Sequence, residues 1–360
     1  MNISTTGGIG KERGYTGLIV LLLISIGLAA VDFVLLNQKN AEDREAVGLT
    51  TQIQVLSQQT AKYAIESADG NVNSFQELAS TRNAIDSAVQ RLTKGDPAGG
   101  MQPYADNNAS PAGRAVTALQ NAWSQLDGDI GKILSNKAVV LDSASRADTL
   151  SKQIPLLNSS TEQVVNILQQ RNGSADQMLG SSRQMLVADR MIRRVQEVLQ
   201  GGDSAQSAAD GLARDAQLYG TVLNGLLEGD SAAGIRAMND ANAQKILKGM
   251  QQSWTQLQDP VSKLVSAAGN IIDVKSAGNQ ASLDSQNVLL RANELADQIG
   301  KLPLRRLFPN LWWGIFGAIG TVAFALLLVF QLVRDQRRRF QYSAELHQRN
   351  QEPIMRPPDE

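Results

Sequence analysis

The segment IDSAVQRLTKGDPAGGM at Ile85 returns as YGTVLNGLLEGDSAAGI at Tyr219, and LQNAWSQLDGDIGKIL at Leu119 returns as MQQSWTQLQDPVSKLV at Met250. A fixed period constrains architecture before any single element does, because whatever the first copy folds into the second must fold into as well. The period is about 134 residues in the first match and about 131 in the second, so the second copy has lost about three residues between them. The loss falls in a loop around QPYADNNASPAG. Trp123 and Trp254 stay in register, as do Lys132 and Lys263.

The pattern within the copies is helical. Phe75, Leu78, Arg82, Ile85, Val89 and Leu92 advance by steps of three and four, and Ala209, Leu212, Ala216, Tyr219, Leu223 and Leu226 fill the matching column. Val116, Leu119, Trp123, Leu126, Ile130 and Ile133 form a second stripe, mirrored by Leu247, Met250, Trp254, Leu257, Val261 and Leu264. Stripes this narrow fit helices packed in a bundle, with Trp123 and Trp254 as core of the repeat. Turn residues at Asp69-Gly70-Asn71, Gly95-Asp96-Pro97, Asn172-Gly173, Gly201-Gly202-Asp203 and Gly229-Asp230 divide each copy into two medium helices and a long one. Pro155 is expected to kink or end the long helix of the first copy. The repeated Gly95-Asp96 and Gly229-Asp230 elements lack the residues that follow in a P-loop or an EF-hand, and read as helix stop plus N-cap.

Two apolar runs bracket the duplication. From Leu311 to Val333 no charged residue occurs, which is long enough to cross a hydrocarbon core about 30 Å thick. Trp312 and Trp313 suit one membrane interface, and Arg337, Arg338 and Arg339 the cytoplasmic flank of the other. The run TGLIVLLLISIGLAAVDFVLL is preceded by Lys11 and Arg13 and outlasts a cleaved signal core, so it reads as an uncleaved helix. Asp32 lies near its outer end, where a carboxylate costs less than at the bilayer centre. The flanking charges put both termini in the cytoplasm of a bacterial inner membrane, with the intervening loop in the periplasm.

Composition excludes several chemistries. There is no cysteine and one histidine, His347, so disulfide frameworks, thiolate metal sites and a buried catalytic triad are ruled out. With a net charge of -1 and few aromatics, nothing resembles a nucleic-acid footprint. No catalytic, cofactor or metal-binding residues are expected, and no enzymatic activity. Arg190, Arg193 and Arg194 are the candidate contacts for an anionic ligand, against the plainer reading of a solvated face or partner rim.

Two membrane helices enclosing an all-α periplasmic repeat match the layout of a chemoreceptor's sensory half. The start Gly14, Tyr15, Gly17 and Leu18, the duplicated module with its W-x-Q-L marks, and the closing RNQE at Arg349 to Glu352 resemble the amino-terminal half of the PilJ family, the methyl-accepting transducers of type IV pili and twitching motility. The resemblance implies a receptor of a surface or pilus cue that signals through a HAMP relay and a cytoplasmic hairpin to a kinase. It also implies a homodimer, a pilin or pilus-associated periplasmic protein as partner, and mixed dimers with a full-length transducer. After Asn350 the sequence reads QEPIMRPPDE, whose Pro353, Pro357 and Pro358 oppose a HAMP helix, so the output half is expected to be missing. The alternative is an envelope scaffold that holds pilus components through its periplasmic bundle. The expected order is a leader at 1–14, a membrane helix at 15–36, modules at 37–175 and 176–310, a second membrane helix at 311–333, and a basic tail with a truncated HAMP start at 334–360.

Overall fold

The structure, a computed structural model, describes residues 9–105 and 110–349, with side chains from 16 to 105, 110 to 338, and at 340 and 341. Residues from Asn350 onward, with the Pro353, Pro357 and Pro358 argument, lie outside the described residues, as do the side chains of Arg339 and His347. The fold is all-α. Among the described residues there is no strand, only two isolated β-bridges. The helices are α1 (Ile9–Ala68), α2 (Val72–Lys94), α3 (Pro111–Ser135), α4 (Lys137–Gln170), α5 (Ala175–Gln200), α6 (Ala205–Glu228), α7 (Ala241–Gly300), α8 (Leu302–Arg305) and α9 (Leu311–Arg349). The chain divides into one compact unit of residues 1–47 and 299–360 and another of residues 48–298.

Within the second unit the helices begin where local chemistry starts them. Asn71 caps α2 by accepting from the amides of Asn73 and Ser74, and Ser110 caps α3. Ser174 and Gln177 form a reciprocal capping box at α5. The apolar stripes read from the sequence are buried, except that Arg82 and Ala216 sit at the edge of theirs.

The helices pack as two bundles that exchange their long members. In the first, α2 and α3 are joined by Arg82 and Asp127, and the carboxy-terminal part of α7 meets α1. There Gln54 Nε2 donates to Asn293 Oδ1 at 2.9 Å, and Lys275 pairs with Asp69. In the second, α4, α5, α6 and the amino-terminal part of α7 share one core running from Ala147 to Ile271. Helix α7 has 60 residues, about 90 Å at 1.5 Å per residue, and serves both. The third helix of each copy thus starts in its own bundle and extends into the other, by α3 and α4 in one direction and α7 in the reverse.

Two local expectations are corrected. The long helix of the first copy ends at Asn136, and Pro155, which lies inside α4, does not end it. Asn136 has φ -95 and ψ 8, and both its backbone N–H and its Nδ2 donate to the Lys132 carbonyl, closing off α3. The matching residue is Ala267, a good helix former, and α7 runs on. The second correction concerns the Gly-Asp elements, which stop helices but do not cap the next ones. Gly95 and Gly229 end α2 and α6 at φ 78 and φ 90. Asp96 and Asp230 then accept from the amides of Gly99 and Ala233 inside a closed loop. That loop is held by paired backbone bonds from Asp96 to Met101 and from Asp230 to Ile235, whose side chains plug back into the core.

Candidate functional site

The two tryptophans that mark the repeat are both 4% exposed, on α3 and α7, yet their surroundings differ. Trp123 Nε1 donates to Asp86 Oδ1 at 3.2 Å. Beside it Arg82 makes a bidentate pair with Asp127, at 2.6 and 3.0 Å, which holds the guanidinium pKa above its usual value. In the second copy the matching positions are Gly220 for Asp86, Ala216 for Arg82 and Gln258 for Asp127. Trp254 Nε1 has no hydrogen-bond partner, and a Cβ on Gly220 would stand 3.1 Å from it. Tyr219 packs on the Trp254 ring with centroids 4.5 Å apart. Burial pushes the Tyr219 phenol up to about 12; Gln184 and Thr161 pull it the other way, though neither makes a well-formed hydrogen bond to the hydroxyl.

The three candidate arginines lie on α5. Arg190 Nη2 donates to Asp215 Oδ1 at 2.5 Å, and Arg194 Nε lies 2.8 Å from Oδ2 of the same buried carboxylate. The Arg194 guanidinium reaches it across Gly211, where a Cβ would overlap Nη1. Arg193 is exposed. Two of the three charges are therefore engaged by the protein itself, on a face of α6 other than the one toward Trp254.

In the membrane-like unit, α1 and α9 each carry a stretch long and apolar enough to cross a membrane. Small residues let the helices approach. A Cβ on Gly317 would come within 2.9 Å of Ala29 Cβ, and Ser25 Oγ donates to the Gly317 carbonyl at 2.9 Å. Asp32, placed at an interface by the sequence, is 1% exposed and accepts from the Asn310 amide at 3.3 Å. Trp312 and Trp313 are exposed at the start of α9, with Trp313 Nε1 donating to the Leu307 carbonyl; Arg337 and Arg338 are exposed further along. Arg306 donates to Asp43 at 2.7 Å, a largely buried pair with side chains 18% and 8% exposed.

The family described as type IV pili methyl-accepting chemotaxis transducer, N-terminal, matches residues 35–152. Protein PilJ of Pseudomonas aeruginosa is 32% identical over 355 residues, covering 98% of this chain and 51% of that protein. The chain belongs to the PilJ family. A second relative, described as the putative methyl-accepting chemotaxis protein AlkN of Alcanivorax borkumensis, is 31% identical over 356 residues, with the same coverage of each. This PilJ-family chain spans about half the length of the curated relatives it matches. Sequence reading missed Asp86, Gly220 and Asp215, all off the apolar stripes. A position-by-position comparison of the two copies outside the stripes carries the signal for the first two.

Proposed function

We propose that the chain is the sensory portion of a type IV pilus chemotaxis transducer, receiving a periplasmic or surface cue through the helical region between its two membrane helices. The observation that supports this is the extent of the likeness to PilJ and AlkN, which runs through the apolar stretches and both repeat copies rather than through one module. Lys11 and Arg13 before the first span and the arginines after the second favour cytoplasmic termini, a topology that alkaline phosphatase fusions would test. The modules read as residues 37–175 and 176–310 supply the external surface, and pilin or a pilus-associated protein is the class of partner that the type IV pili in the family's description suggest.

Surface pattern, as well as the family, supports a homodimer. Leu179 and Leu186 on α5, and Leu283 and Leu290 on α7, are each seven residues apart and more than 60% exposed. Heptad-spaced leucines facing water are what a second helix covers. Mixed dimers with a full-length transducer would use the same seam.

The functional test joins residues 1–349 to the signalling portion of the Pseudomonas aeruginosa relative, in a strain lacking its own transducer. Twitching is expected to recover and to depend on residues 48–298. Equal twitching with and without that segment would overturn the reading.

A further inference from the structure

The exchange of Asp86, Arg82 and Asp127 for Gly220, Ala216 and Gln258 removes three charged groups from one surface of the second copy. An open groove of about 480 Å³ lies there between α6 and α7, with Ala216, Gly220, Gln258 and Trp254 all on its walls. Around them stand Gln217, Thr221, Asn224 and Ser262. The groove therefore offers amide and hydroxyl groups, a few methyls and no charged side chain. In its wall lies one donor without an acceptor, since Trp254 is 4% exposed and its buried indole N–H has no partner.

Each feature restricts the occupant. A buried N–H without an acceptor is costly, so a ligand that brings an oxygen to it gains more than a surface contact would. An ion would shed water in a groove with no opposite charge to receive it. We propose that this groove binds a small uncharged amide, whose carbonyl oxygen takes the place of the Asp86 carboxylate oxygen of the first copy. Its N–H then donates to the side-chain oxygens of Asn224 or Gln258, and its apolar body lies on Ala216 and Val261. Binding stands on the groove alone; its role as an input site rests on the sensory reading above.

The test uses the full chain in detergent micelles and N-trifluoroacetylglycinamide as probe, followed by its ¹⁹F transverse relaxation, with empty micelles subtracted. Saturable binding is expected, displaced by N-acetylglycinamide and at least tenfold less well by the charged N-acetylglycine. Gly220→Asp puts a side chain against the Trp254 indole, with its Cβ 3.1 Å from Nε1, and should weaken binding at least tenfold by filling this end of the groove. Trp254→Phe keeps an aromatic ring but removes the N–H together with part of the indole, and should weaken it severalfold. Trp123→Phe, in the other bundle, should leave it unchanged. Unsaturable relaxation, equal affinity for N-acetylglycine, or undiminished binding in Gly220→Asp and Trp254→Phe would overturn the proposal. Because binding is read directly, a groove that binds in a chain that does not signal separates this inference from the sensory one.

Discussion

The two copies keep the same core columns, filled by different apolar residues, and differ most in what they place beside them. In the first, the polar edge between α2 and α3 is closed by Arg82, Asp86 and Asp127; in the second the matching edge is open, and the charged cluster has moved to the α5–α6 face as Arg190, Arg194 and Asp215. Thr81 stands where the second copy has Asp215, and donates to the Leu78 carbonyl of its own helix. Core columns are held by packing that any change disturbs, whereas edge positions can be traded as long as every buried charge keeps a partner. Duplication followed by edge exchange thus yields two similar bundles with different surfaces.

The largest effect should be common to both copies. Trp123→Ala and Trp254→Ala each remove a buried indole from a bundle centre and should cost about 3–5 kcal/mol, read by urea unfolding of the full chain followed by circular dichroism. Near-equal losses would support equivalent cores. A loss several times smaller at Trp254 would break the equivalence and make that indole part of the groove rather than of the core.

Next comes a pH dependence that only the second copy should show. Tyr219 is the counterpart of Ile85, and its phenol is raised from 10.0 to about 12 by burial. The folded state then holds the proton more tightly than the unfolded chain does. Stability from this source is complete below pH 10 and is lost as pH rises toward 12, amounting to about 3 kcal/mol at most. Unfolding measured at pH 9 and pH 11 should show the loss, and Tyr219→Phe should remove that part of the slope while lysine titration remains. An unchanged slope in the variant would mean that the hydroxyl is solvated when folded.

The stripes, the bundle class and the membrane helices were legible in the sequence because each rests on periodicity or on uninterrupted apolarity. The exchange of α7 between bundles was not, since a 60-residue stripe looks the same whether its partners change half-way or not. The break at Asn136 was obscured by Pro155. Proline signals a lost donor, but a helix can tolerate it where neighbours pack around it, while an asparagine that bonds back to its own helix ends one with less warning. Of the candidate ligand residues, Arg190 and Arg194 were legible as a cluster, but their carboxylate lies 25 residues from Arg190 on another helix. No local spacing rule connects them.

The charged cluster of the second copy sets the third prediction. Asp215→Ala would leave Arg190 and Arg194 without their carboxylate. Both guanidiniums have some access to water, with side chains 43% and 28% exposed, so the cost should be about 2 kcal/mol rather than that of a fully buried charge. Thr81→Ala in the first copy should cost less, because no charge depends on it. If both substitutions cost the same, the arginines do not rely on Asp215, and Arg190, Arg193 and Arg194 become available together to an anionic ligand.

The smallest effect bears most closely on how the copies differ. Asp86→Ala makes the first copy resemble the second at the indole N–H, by removing the acceptor of Trp123 Nε1. The bond is 3.2 Å long and Asp86 is half-exposed, so its loss should cost about 1 kcal/mol, near the usual net worth of a hydrogen bond. Asp86→Asn should cost less, because the amide keeps an oxygen at the same position. Arg82 would still fill the edge through Asp127, so Asp86→Ala should not create a matching binding groove around Trp123. Amide binding by that variant stronger than in the wild-type chain would show that one acceptor, and not the loss of all three edge charges, is what opens a copy to ligand.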